Sequence, residues 1–231
     1  MHRINKFILA VFMLLVTVGR ADATIIEVPY VDKFFYVYGE QFNTTLGVWQ
    51  SSAWGQTFRL NAGDDRFLKS LSFSMKDTTN EWPVSGGINF TTYIYKWDGT
   101  KITGNPMFVS ESAVTNDSLT PTNFIFDLGL KEIIPEQDYI WIVNPIHDEI
   151  VGTGGVSWNP SGGYGNGEFY IFNHNNGELA PLFTDGWDLI GTDRELAFRL
   201  ETSAGAVPEP ATMVLLGSGL IGAALSRRKW S

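Results

Sequence analysis

The chain has 231 residues, 25 of them acidic and 16 basic, a formal net charge of −9, and no cysteine. The balance disfavours nucleic acid as a partner, because binding a phosphate backbone needs a surplus of positive side chains. The lack of cysteine excludes disulfide frameworks, thiolate metal sites and cysteine nucleophiles, so stability must come from packing.

His2, Arg3 and Lys6 precede an apolar run from Phe7 to Val18, and Ala21-Asp22-Ala23 follows it. The run is too short for a permanent span. A basic start, an apolar stretch and a small-x-small triplet together predict a secretory signal over residues 1–23, helical and cleaved after Ala23. Ala21 and Ala23 are its cleavage-site residues. Much of the basic charge sits in the two ends (Arg3, Lys6, Arg20, then Arg227, Arg228, Lys229), which leaves the body strongly acidic.

Residues 24–206 are long enough for one sizeable core. Thr24–Val28 and Phe34–Tyr38 are β-rich runs separated by Pro29. Residues 39–55 are turn-rich, with Gly39, Gly47 and Gly55 around Trp49 and Trp54. Trp54–Leu60 alternates, and Asn61–Asp65 reads as a turn. Arg66–Lys76 has the clearest period of two, with Leu71, Phe73 and Met75 against Ser70, Ser72 and Ser74. Ile88–Trp97 alternates as well and runs into the tight-turn pair Asp98-Gly99. Pro106–Ser110 reads as a short edge strand. Phe124–Leu128 and Tyr139–Val143 are nearly continuous apolar runs, the pattern of central strands. Gly152–Gly177 is so rich in glycine that a long loop is expected, followed by a strand at Glu168–Phe172. Leu196–Leu200 closes the body. With no sustained helical period, these short strands predict an all-β domain, an antiparallel two-sheet sandwich of jelly-roll type.

The chain ends in three successive parts. Val207-Pro208-Glu209-Pro210 is a rigid turn after which a helix can begin. An uncharged apolar stretch from Ala211 to Leu225 follows, shorter than the roughly 20 residues a stable span needs. Arg227, Arg228 and Lys229 then place positive charge where anionic headgroups would meet it. In order and spacing, residues 207–231 resemble the PEP-CTERM sorting domain of bacterial secreted proteins. The resemblance implies a short apolar helix read by a membrane-embedded sorting enzyme, exosortase, in bacteria of Gram-negative type that make exopolysaccharide and biofilm matrix. The strand-and-turn series Gly55–Phe58, Leu71–Ser74, Tyr93–Lys101, Gly167–Phe169 and Asp193–Phe198 is similar to the β-rich ectodomains that accompany such tails. Their overall form is similar to carbohydrate-binding jelly rolls.

Saccharide binding needs aromatic rings beside carboxylates and amides, the ring stacking on sugar C–H bonds while the polar groups bond hydroxyls. Trp158, Asn159, Tyr164, Tyr170, Asn175 and Trp187 supply those types on neighbouring loops. The competing reading makes them packing residues. Calcium would need several carboxylates close together; Asp64 with Asp65, and Asp185, Asp188 and Asp193, are the usable clusters, though neither has the spacing of a calcium loop. No other cofactor is expected. His147-Asp148-Glu149 follows a strand and reads as a surface turn, and no Gly-x-Ser-x-Gly or His-Glu-x-x-His motif is present. The expectation is an exported, non-catalytic protein, transiently held in the inner membrane and then placed at the cell surface or in the matrix. Its partners would be exosortase and exopolysaccharide. A secreted polysaccharide hydrolase and a structural surface protein without a soluble ligand are the alternatives.

Overall fold

A computed structural model of the chain describes residues 23–38, 41–43, 48–77, 88–115, 120–145, 153–160, 164–175, 180–191 and 194–204. Ala23–Ser203 forms one compact unit. The expected signal helix and apolar tail helix, with Ala21 and the sorting residues, lie outside the described residues. Among the described residues no helix is long and apolar enough to cross a membrane.

In chain order the strands are β1 (Ile25–Val28), β2 (Phe34–Tyr38), β3 (Gln41–Asn43), β4 (Val48–Arg59) and β5 (Phe67–Asp77). There follow β6 (Asn89–Trp97), β7 (Ile102–Val109), β8 (Ala113–Val114), β9 (Thr122–Glu132) and β10 (Asp138–Pro145). The last are β11 (Thr153–Asn159), β12 (Phe169–Asn175), β13 (Asp188–Gly191), β14 (Glu195–Leu196) and β15 (Phe198–Ser203). One helical turn, α1 (Pro181–Thr184), precedes β13. They form two antiparallel sheets, the all-β two-sheet sandwich expected from the sequence. The first sheet runs β1-β15-β5-β11-β14, with β2 on β11 and β9 on β5. The second runs β13-β12-β4-β10-β6-β7, with β3 on β4 and β8 on β6. From β9 to β12 each successive strand changes sheet, so the connections repeatedly cross the sandwich.

The period of two in β5 drives this packing. Leu71, Phe73 and Met75 are buried between the sheets, while Ser70, Ser72 and Ser74 are only half-buried on the other side. Phe73 stacks on Trp141 of the facing sheet, with ring centroids 4.9 Å apart and planes 16° from parallel. Such a pair stabilises by about 0.5–1.5 kcal/mol beyond its buried area. β10 is buried along its whole length except for half-buried Asp138, because the second sheet is covered on both faces. Tyr139, Trp141 and Val143 enter the core between the sheets. Ile140 and Ile142 point the other way, into a second apolar cluster that Leu182 of α1 and Trp187 join.

Three local expectations are corrected. Phe124–Leu128 lies in an edge strand, since β9 pairs with β5 alone among the described strands. Its apolar run is continuous only because Ile125 points outward, 71% exposed, between buried-side Phe124 and Phe126. β11 passes straight through Gly154 and Gly155, where a loop was expected, because β5 and β2 both pair with it there. Backbone ladders need no side chains, so partners on two edges override a weak propensity. β4 takes up the turn-rich stretch from Val48 onward, where β3, β12 and β10 pair with it. Gly55 at its middle leaves room for two neighbours, since a Cβ there would lie 2.5 Å from Ile140 Cδ1 and 3.1 Å from Trp187 Cζ3.

Candidate functional site: a polar groove at one end of the second sheet

Where β4 and β6 end and β10 and β12 begin, the outer face of the second sheet opens into a groove of about 450 Å³. That volume lies in the range of small-molecule sites, roughly 300–1,000 Å³. Alternation along β4 sends Thr57 and Arg59 to this face, and Trp97, Asp138 and Tyr170 reach it from β6, β10 and β12. Residues 165–168, leading into β12, form the remaining wall.

Arg59 and Asp138 are direct cross-strand partners. Two parallel hydrogen bonds join them, Nε to Oδ1 at 2.7 Å and Nη2 to Oδ2 at 2.6 Å. The Asp138 carboxylate, by hydrogen bonding and then by charge, holds the Arg59 guanidinium above its usual value. Both side chains stay partly open to solvent, so the pair orients polar atoms more than it stabilises the fold. Beside it the Tyr170 hydroxyl donates to Glu168 Oε2 at 2.5 Å. Burial, and next that bond to a carboxylate, push the Tyr170 phenol well above its ordinary range. Trp97 packs on Tyr170 with centroids 4.8 Å apart. Both rings are buried, so neither offers the groove an open face.

The wall at 165–168 is fixed from three sides. Glu168 N donates to Thr57 Oγ1 at 2.7 Å, and Thr57 N donates to Glu168 O at 3.0 Å. Buried Glu195 accepts from Tyr164 N at 2.9 Å and from Gly165 N at 3.3 Å. The Tyr164 hydroxyl donates to the Arg59 carbonyl and accepts from Arg59 N at 3.1 Å. Burial pushes that phenol up to about 12. Gly167 is required here, because a Cβ would come within 2.1 Å of Thr57 O.

Of the residues singled out from the sequence, Tyr170 lines the groove and Tyr164 anchors its wall. Trp187 is buried one ring behind it, edge-on to Trp97 at 6.0 Å, with its indole N–H donating to Leu182 O. Trp158 is half-buried against the core, with the Arg194 guanidinium 5.5 Å from its ring centroid. Asn159 is buried opposite Glu195 on β14. Asn175 pairs with Gln50 at the end of β12. Tyr170 of the second sheet lines the groove and Tyr164, outside the strands, holds its wall, while Trp158 and Asn159 belong to the first sheet. Arg59, Asp138 and Glu168 were missed, because nothing in their sequence surroundings gives the register that joins them.

Of the acidic residues, Asp64 and Asp65 accept local or long-range backbone hydrogen bonds, and Asp193 lies outside the described residues. Asp64 closes its own turn, accepting from Asn61 N at 2.7 Å while its N–H donates to Asn61 O. Asp65 accepts from Thr24 N. Asp185 caps α1 through its backbone N–H, and Asp188 is exposed at the start of β13. Among the described residues no group of three or more His, Asp or Glu could hold a metal ion. His147-Asp148-Glu149 lies outside the described residues.

No curated protein matches the chain. Among solved structures it is similar to the cysteine protease and lectin-like domains of Cwp84, a surface layer associated protein of Clostridium difficile. That likeness has 11% identity and a TM-score of 0.43, over 80% of this chain and 37% of that one. The chain therefore spans well under half the length of that structure. It is also similar to TmCBM61 in complex with β-1,4-galactotriose, with 11% identity and a TM-score of 0.31, over 69% of this chain and 94% of that one. A family model describing the PEP-CTERM protein-sorting motif matches residues 206–229. The match covers the turn, apolar stretch and basic cluster read from the sequence, and so the chain carries a PEP-CTERM sorting signal, the mark of an exported protein handled by exosortase and sorted via the membrane.

Proposed function

We propose that the chain is a non-catalytic saccharide-binding protein of the cell surface or extracellular matrix, associated with exopolysaccharide. In this reading residues 1–23 are a cleaved signal, 24–206 the binding ectodomain, and 207–231 a transient inner-membrane peg. One observation carries the binding role: the groove collects a guanidinium, two carboxylates, an amide and a hydroxyl (Arg59, Asp138, Glu168, Asn166, Thr57) on rigid strand ends and a pinned loop. Dense, oriented donors and acceptors beside an apolar wall suit the hydroxyls of a sugar. Because Trp97 and Tyr170 are buried, recognition here rests on hydrogen bonds more than on ring stacking. Both oxygens of Asp138 are engaged by Arg59 and Glu168 is engaged by Tyr170, which favours binding over acid–base chemistry.

Calorimetric titration of the exported chain with neutral and acidic oligosaccharides tests this. Binding that weakens at least tenfold in Glu168→Ala and Asn166→Ala, with the melting temperature unchanged, is expected. Silence across the panel points to the structural alternative, and release of reducing ends from the producing organism's own polysaccharide points to the hydrolase.

A further inference from the structure

We propose that signal removal leaves Thr24 as the mature N-terminus and that Asp65 receives the new ammonium group as an ion pair. Thr24 N lies 3.3 Å from Asp65 Oδ2, a contact between residues 41 positions apart. The Thr24 carbonyl is held as well, accepting from Thr202 N at 2.9 Å and from Thr202 Oγ1 at 3.0 Å. Residue 24 is therefore gripped through both its backbone nitrogen and its backbone oxygen, just ahead of the pairing of Ile25 with Glu201. The compact unit begins at exposed Ala23, so the predicted scissile bond lies one residue inside the edge of the fold.

In the uncleaved chain Thr24 N is an amide with one proton. When a signal peptidase adds water across the Ala23–Thr24 bond, the Ala23 carbonyl carbon takes the oxygen and leaves as a carboxylate. The Thr24 nitrogen takes the protons and remains as an ammonium. A neutral donor facing Asp65 becomes a cation with three donors, which strengthens the contact. The charged groups around this point are Asp65, its neighbours Asp64 and Arg66, and Glu201 opposite Ile25, the last bonded by Lys69 and Arg199. Among the described strands β1 pairs with β15 alone, so the clamp fastens an edge strand by its free end. Cleavage would then finish the fold as well as release its N-terminal end.

The test takes the chain as recovered after export, identifies its first residue by mass, and compares it with the same chain acetylated at that residue. Each form is also made with Asp65→Asn. The expected start is Thr24, with the free amine melting about 1–4 °C above the acetylated form. In Asp65→Asn that difference disappears. In the Asp65 chain the α-amino group titrates above its ordinary value near 8, and the substitution returns it there. A start at any other residue, equal melting of both forms, or a gain that survives Asp65→Asn overturns the proposal. It rests on the export reading and not on saccharide binding, so either can fail while the other stands.

Discussion

Gly167 has no room for a side chain, because the backbone of β4 occupies the place a Cβ would take, 2.1 Å from Thr57 O. Backbone cannot swing aside as a side chain can. Gly167→Ala is expected to destabilise by about 2–3 kcal/mol and to distort the groove wall. Gly63→Ala, with nothing within 4 Å of its added Cβ, should stay within about 0.5 kcal/mol of the parent. Equal melting of the two variants would refute the account of the wall. Leu130 presents the opposite situation, a branched side chain at φ 55 directly after Gly129 at φ 62. Left-handed backbone costs a residue with a Cβ roughly 1–2 kcal/mol, and glycine gives back part of the gain as unfolded-chain entropy. Leu130→Gly should therefore raise stability by about 0.5–1 kcal/mol in denaturant unfolding, and a loss would contradict it. Gly167 and Leu130 show why the sequence reveals so little at this scale. Gly167 reads as one of many loop glycines and Leu130 falls between two predicted strands, and only the partner strand and its register give them meaning.

At the scale of elements, β7 and β9 each pair on one side only among the described strands, and both of these edges are interrupted. β7 carries Gly104 at φ 70 and Pro106, with a register shift against β6, and β9 is broken by the Gly129-Leu130 bulge. Irregular edges of this sort discourage strand addition by other chains. The Arg59–Asp138 pair joins β4 to β10, with 42% and 34% of the side chains exposed. A double-mutant cycle with Arg59→Met and Asp138→Asn should return a coupling below about 1 kcal/mol in stability. The same substitutions should abolish saccharide binding if the pair sets the groove's polarity, whereas a large stability coupling with binding intact would reverse these roles. Strand type was legible wherever one face is wet, as in β5, where serines alternate with Leu71, Phe73 and Met75. It was less legible in β4 and β11, whose glycines are tolerated because neighbours pair on both sides. Edge and centre could not be told apart for β9, since an outward Ile125 mimics a buried run. Of the site, Tyr164 and Tyr170 could be named in advance as aromatic residues in a glycine-rich stretch. Trp158 and Trp187 could be named too, but sequence could not tell a lining ring from a packed one.

Taken whole, the molecule is an acidic sandwich whose second sheet is apolar on both faces, with tyrosines buried at its outer surface. Burial pushes Tyr95 and Tyr164 both up to about 12. A phenol whose value is raised by folding stays protonated in the native state at pH values where the unfolded chain ionises. The stabilising difference is complete below the ordinary tyrosine value near 10 and is lost as pH climbs through the raised one. Alkaline unfolding should therefore begin between about pH 10 and 12, with tyrosinate absorbance and loss of β-sheet circular dichroism changing together. Tyrosinate appearing near pH 10 in full, before any loss of structure, would show these rings to be open to solvent. The groove decides the larger question of what the exported body is for. A crystal structure of the exported chain soaked with an oligosaccharide from the producing organism's own polysaccharide tests it most directly. The account predicts a sugar ring within hydrogen-bond reach of Asp138, Asn166 and Glu168, beside Trp97 and Tyr170. A sugar bound elsewhere, with the groove holding only solvent, would contradict it.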